Sequence, residues 1–221
     1  MEQLVMDLPF TVDEFLNVFE RYNLSVWPAQ LALCALALMA LLCLYRNLSS
    51  ASQVVFLVLS LLWAWMGLVY HISFFSSINK AAYIFGAFFL VQSFIFFYFG
   101  VVRAKIQLAA RLHVRGIIGL VLIVYALIIY PLLGLLLDHI YPKSPTFGVP
   151  CPTTIFTFGL LLFSMKRVPF FFLLIPLLWS VVGLSAAISL GVVEDIVLII
   201  SGVVSTTLLT LMTPEAQKST K

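Results

Sequence analysis

The residues of this chain whose types could do chemistry sit at the edges of long apolar runs. His71 lies inside such a run, in Trp-Met-Gly-Leu-Val-Tyr-His at 65–71. A histidine there would serve as a proton relay, a metal ligand or a pH sensor. The plainer alternative is a ring hydrogen-bonded to a neighbouring helix or to interfacial water. Gly67, one turn earlier, would let a second helix or a ligand come close. Asn79, Lys80 and Tyr83 open a further run, Asp138, His139 and Tyr141 close another, and Glu194 and Asp195 open the last. Carboxylates in a first helical turn also complement the helix dipole with no other role. Asp138 and His139 equally suit a solvated helix end.

The segment Pro142–Thr154 is the least regular stretch, with four prolines and one glycine. It forbids a regular helix over much of its length and leads directly into an apolar run. Thr153 and Thr154 would put hydroxyls and free backbone N–H groups at the start of a helix, a setting that suits anions. The same setting activates a thiol, so Cys151 would be reactive or bind a soft metal. One cysteine lacks the paired spacing of a strong metal site, and a rigid loop capping a bundle is the alternative. Within the runs only uncharged polar residues remain, among them Gln30, Gln92, Tyr125 and Ser180. Ser185, Ser189, Ser201 and Ser205 sit at the four-residue spacing of close helix packing. Tyr130-Pro131 predicts a kink.

What must hold these groups is set by composition. Of 221 residues, 63% are hydrophobic and 10% charged, against roughly 45–50% and about 25% in soluble domains. The excess apolar surface must face lipid. Seven stretches without Asp, Glu, Lys or Arg are long enough to consider as spans: 26–45, 54–74, 81–102, 116–137, 148–165, 168–190 and 196–212. The fifth is short and proline-led, so it reads as a full span or as a half-helix behind a re-entrant entry. The fold expected is an all-α membrane protein. Residues 1–25 form an external segment with a short amphipathic interfacial helix, 26–213 a bundle of seven transmembrane helices, and 214–221 a cytoplasmic tail. The helix at 10–22 is signalled by Thr11 and Glu14, a capping-box pair, and by Phe15, Val18, Phe19 and Tyr22 on one face. It is expected to lie in the outer interface with that face down.

Charge orients the bundle. Arg46, Arg103, Lys105, Arg111, Arg115, Lys166, Arg167, Lys218 and Lys221 fall on one side of a seven-span topology, and Arg21, Lys80 and Lys143 on the other. Cytoplasmic loops carry the Lys/Arg excess, which places the N-terminus outside and the C-terminus in the cytoplasm. The acidic N-terminal stretch does not resemble a signal peptide, so no cleavage is expected. The net charge of +3 is dispersed, which gives nucleic-acid binding no footprint. Three cysteines without regular spacing argue against a disulfide framework.

Several stretches resemble a known family. They are Leu-Pro-Phe-Thr-Val-Asp-Glu-Phe at 8–15, Val-Trp-Pro-Ala-Gln at 26–30, Met-Gly-Leu-Val-Tyr-His at 66–71, Phe-Phe-Ser-Ser-Ile-Asn-Lys-Ala-Ala-Tyr at 74–83 and Pro-Thr-Phe-Gly-Val-Pro-Cys-Pro-Thr-Thr at 145–154. Together they resemble a family of small bacterial inner-membrane proteins catalogued as domain of unknown function 6064. The resemblance implies a bacterial multispan protein and brings no activity or site residue. Seven-span hydrolases such as alkaline ceramidases use several zinc-binding histidines, including a pair near the last span. Span seven here has none, which disfavours metal-dependent lipid hydrolysis.

Three functions are compatible with this pattern. The first is transport or permeation of a small solute or ion through an outward-facing polar vestibule. The second is a non-enzymatic sensor or accessory subunit that binds a ligand or partner at its outer face. The third is an intramembrane enzyme using Cys151 or a His71–Asp138 pair. On any of them His71, Asn79, Lys80, Tyr83, Asp138, His139, Cys151, Thr153, Thr154, Glu194 and Asp195 are the candidate ligand-binding residues. The lipid bilayer is the expected partner, no cofactor is called for, and a metal is left open.

Overall fold

A computed structural model of the protein describes residues 9–111 and 113–211. The stretches expected as the extreme N-terminus and the cytoplasmic tail lie outside the described residues. The described chain is all-helical: α1 Val12–Val26, α2 Ala29–Tyr45, α3 Ala51–Ser77, α4 Ala82–Val102, α5 Val114–Leu136, α6 Pro150–Leu161, α7 Leu174–Leu190 and α8 Val193–Thr210. Four of these (α3, α4, α5 and α8) are long and apolar enough to cross a membrane. A fifth crossing results if α1 and α2 count as one broken span, and α6 and α7 are shorter apolar helices.

Thr11 starts α1. Its hydroxyl accepts from the Glu14 N–H at 3.2 Å, and the Glu14 carboxylate accepts from the Thr11 N–H at 2.8 Å. The backbone N–H of Thr11 holds the Glu14 carboxyl below its ordinary range, with the Thr11 hydroxyl adding to it. Pro28 ends the run, pressing Trp27 into an extended conformation, and α1 meets α2 at 85°. The expected apolar face of Phe15, Val18, Phe19 and Tyr22 is buried. What it meets differs from the expectation, since it packs against protein. Phe19 stacks on Tyr70 at 5.9 Å between centroids, Tyr22 stands edge-on to Phe74 at 5.5 Å, and Trp65 Nε1 donates to the Tyr22 hydroxyl at 2.8 Å. Aromatic rings at the end of α3 offer that face a denser partner than lipid. α1 therefore lies as a strap across one end of the bundle, here termed the cap end.

Helices in lipid associate through packing and hydrogen bonds, because burial from water contributes little between them. Gly67 and Gly86 bring α3 and α4 close. A β-carbon at Gly67 would stand 3.0 Å from the Gly86 carbonyl. Gly119 and Gly159 do the same for α5 and α6. α6 is enclosed: every residue from Pro150 to Leu161 is at least half-covered and all but Cys151 are buried. At about 1.5 Å per residue it is too short to cross alone. Pro150 and Pro152 occupy its first turn, where a missing N–H leaves no helical bond unmade.

Three stretches open into π-helix: Met66–Phe74, Phe96–Val102 and Tyr125–Ile129. The last sits just before Pro131. The wider turn accommodates the proline, and α5 continues past it to Leu136. At the opposite, base end, residues 103–111 fold back as an irregular segment. Ala109 N–H donates to Phe163 O at 3.0 Å, Met165 N–H to Gln107 O at 2.8 Å, and Arg115 Nη2 to Ser164 Oγ at 2.7 Å.

Candidate functional site

The cap end encloses a cavity of about 190 Å³. Its roof is Phe15 and Phe19 of the strap and Phe10 from the bend before it, with Pro145 and Val149 of the 138–149 loop. Its walls are Tyr70, Phe75 and Phe85 with Trp179, Val182 and Ser185 of α7. Tyr130, Cys151 and Asp195 complete it. None of the lining residues is basic.

The roof is tied down by hydrogen bonds. Asn23, fully buried in α1, donates from Nδ2 to Pro142 O at 2.7 Å and to Ser144 O at 2.8 Å. Its Oδ1 accepts from Gln30 Nε2 and from Thr146 Oγ1, each at 2.8 Å. Lys143 pairs with Glu20 at 3.5 Å across exposed surface. One asparagine thus fixes the angle between α1 and α2 and the position of the proline loop above the cavity.

An acidic corner lies beside it. Glu194 and Asp195 form the first turn of α8 and are almost wholly buried. Tyr130 donates to Asp195 Oδ1 at 2.6 Å, and the Tyr125 hydroxyl donates to the Glu194 backbone oxygen at 2.8 Å. His139 Nδ1 meets Glu194 Oε1 at 2.7 Å, while Glu194 Oε2 is buried without a partner. The π-helical turn at Tyr125–Ile129 lets both tyrosines face α8. Asp138 adopts the left-handed region at φ 62°, which an aspartate tolerates. That turn carries the chain back so that His139 reaches Glu194.

The candidates from sequence separate into groups. Asn79, Cys151 and Asp195 line the cavity. Glu194 and His139 form the pair behind Asp195. The Cys151 thiol faces the Asp195 carboxylate, so the start of α6 already has an acid of the chain's own before it where the sequence suggests an open anion site. Thr153 accepts from the Gly148 N–H at 3.0 Å and serves the loop, and Thr154 is buried with its hydroxyl unpaired. Lys80 is exposed, its amine 3.4 Å from the Ser76 carbonyl. Tyr83 faces outward on α4, and the Asp138 side chain is exposed; none of these three enters the cavity.

His71 lacks the hydrogen-bonded neighbour that its plainer sequence reading expects. It is fully buried inside a ring of aromatics, 4.6 Å from Phe89, 5.0 Å from Trp179 and 5.3 Å from Tyr70 between centroids, and both ring nitrogens lack a hydrogen-bond partner. It stands behind the Trp179 and Tyr70 wall. Among the described residues no three of His, Cys, Asp and Glu stand close enough to hold a metal ion. Sequence reasoning passed over Tyr130 and Trp179 as site residues. A tyrosine hydroxyl or indole N–H in an apolar helix needs a partner, and that requirement is the signal that would have marked them.

A family model matches residues 12–219. The chain belongs to that family, a family of unknown function (DUF6064). No curated protein and no solved structure matches it. As a member of DUF6064 the chain inherits no activity, so its functional reading rests on the cavity.

Proposed function

We propose that this DUF6064 member is a multi-pass membrane protein that holds a small molecule in a vestibule at its cap end, on the outer face of a bacterial plasma membrane. The observation that carries this reading is the cavity of about 190 Å³ that combines aromatic walls with Asp195. Small-molecule sites are concave, mostly apolar and furnished with a few placed polar groups. The crossings number seven on this reading: α3, α4, α5 and α8, α2 bent away from α1, the shorter α7, and α6 together with the apolar turns that flank it at 148–149 and 162–165. The excess of Lys and Arg among residues 46, 103–115, 166–167 and 218–221 supports a cytoplasmic base end and an outward cap.

Binding without passage is favoured over permeation by the packing beneath. Trp63 stacks on Phe89 at 4.5 Å, and Phe96 stands within 5.9 Å of both Trp63 and Phe56, which in turn is 5.9 Å from Phe172. All of these rings are buried. They form a column from mid-bundle toward the base that a solute would have to part. The test is binding and flux measured on one preparation. Protein in proteoliposomes should bind a radiolabelled ligand drawn from an outer-face solute library without accumulating it. Accumulation inside the vesicles would replace the binding reading with the permeation one.

A further inference from the structure

We infer that the cap-end cavity takes a small organic cation, an apolar body of about one ring carrying a protonated or quaternary amine. The inference rests on the vestibule reading and deepens it.

Volume sets the body. A cavity of 150 Å³ admits benzene, so about 190 Å³ holds a ring with a few further atoms. The walls set the chemistry. Phe19, Tyr70, Phe75, Phe85 and Trp179 present aromatic groups to the space, and aromatic faces attract cations, most strongly where water is excluded. Asp195 supplies the countercharge. Tyr130 donates to its Oδ1 and the Cys151 thiol faces the same carboxylate, and neither of these donors carries a positive charge. Two adjacent buried carboxyls, Glu194 and Asp195, face a single basic partner, His139. A bound cation answers that imbalance, since an uncompensated buried charge is costly.

Trp179 is a second polar residue in the wall of the same space. It is more than nine-tenths buried, and its Nε1 has no nitrogen or oxygen partner. Its polar neighbour is the Cys151 sulfur, a weak acceptor. A neutral apolar occupant such as a lipid tail would satisfy the rings and give Asp195 no countercharge. An amine would supply one.

The experiment uses the full chain in lipid nanodiscs with three probes of one size: benzyltrimethylammonium, benzyl alcohol and benzoate, each titrated calorimetrically. The cation is expected to bind at least tenfold more tightly than benzyl alcohol, with benzoate weaker still. Asp195→Asn should erase the preference for the cation and keep the affinity for benzyl alcohol. Ser185→Phe, which fills the space, should lose all three. Equal affinity of the wild-type protein for cation and alcohol overturns the cation inference and leaves the vestibule standing, and it needs no variant to fold. Binding of none of the three overturns both.

Discussion

The two halves of the bundle are built from the same residue types and end differently. In the base half, Phe56 and Trp63 of α3, Phe89 and Phe96 of α4 and Phe172 of the turn before α7 interlock into a solid column. In the cap half, Phe15 and Phe19 come from α1, which lies across the helix ends, Phe10 from the bend before it, and the rings stand around a space. Side chains from helices packed side by side interdigitate, whereas a transverse strap meets the helix ends as a lid. In the column Trp63 Nε1 donates to Thr157 at 3.0 Å, and Ser60 and Ser93 bond each other at 3.1 Å. Unpaired buried polar atoms, which are unfavourable, occur in both halves: Gln92 Oε1 and Arg115 Nε toward the base, Trp179 Nε1, Glu194 Oε2 and both His71 nitrogens toward the cap. What sets the cap half apart is the cavity with Asp195 in its wall.

Substitutions in the two halves should therefore report different things. The largest effect is expected for Trp63→Ala, which removes a fully buried ring from the column. A loss of about 3–5 kcal/mol, read as the shift of an SDS-unfolding transition, fits solid packing. A loss below about 1 kcal/mol would mean that the column is not close-packed. His139→Ala comes next. It strips Glu194 of its side-chain partner and should destabilise the protein by about 1–3 kcal/mol, while Tyr125 still holds the backbone. A neutral result would remove the His139–Glu194 contact from the account of the acidic corner. Thr11→Ala should have the smallest effect, about 1 kcal/mol, confined to the strap. Faster amide exchange in α1 with the column unchanged is the expected signature, and uniform acceleration would contradict a separately anchored lid.

Much of this division was legible in the sequence, and part was not. Thr11, Glu14 and the Phe15–Tyr22 face give α1 directly, because capping and helical periodicity are local. The same pattern says nothing of what that face will meet, so lipid was expected and Tyr70, Phe74 and Phe75 were found. Gly67 announces a close approach, and Gly86 supplies it. Glu194, Asp195 and Cys151 stand out as chemistry against an apolar background, and the charge-derived topology puts them on one face with a shared vestibule in view, without saying which of them meet. Their meeting with Tyr130 joins residues 65 positions apart, and no local pattern encodes which helix ends become neighbours. His71 stands out as a histidine inside an apolar run, and its ring of aromatics could not be foreseen from types that also fill any core. The seven apolar stretches correspond to helices of unequal length, because Pro28, Pro150 and Pro169 cut three of them short.

The central claim is that the cavity opens on the outer side and is closed beneath by the aromatic column. Cysteine accessibility tests it, with Cys34, Cys43 and Cys151 first replaced and one cysteine then introduced at Ser185 in the cavity wall or at Ser60 in the column. In right-side-out vesicles a membrane-impermeant maleimide should label Ser185→Cys and leave Ser60→Cys unmodified. Inside-out vesicles should protect both. Labelling of Ser185→Cys only from the cytoplasmic side, or of Ser60→Cys from either side, would contradict it.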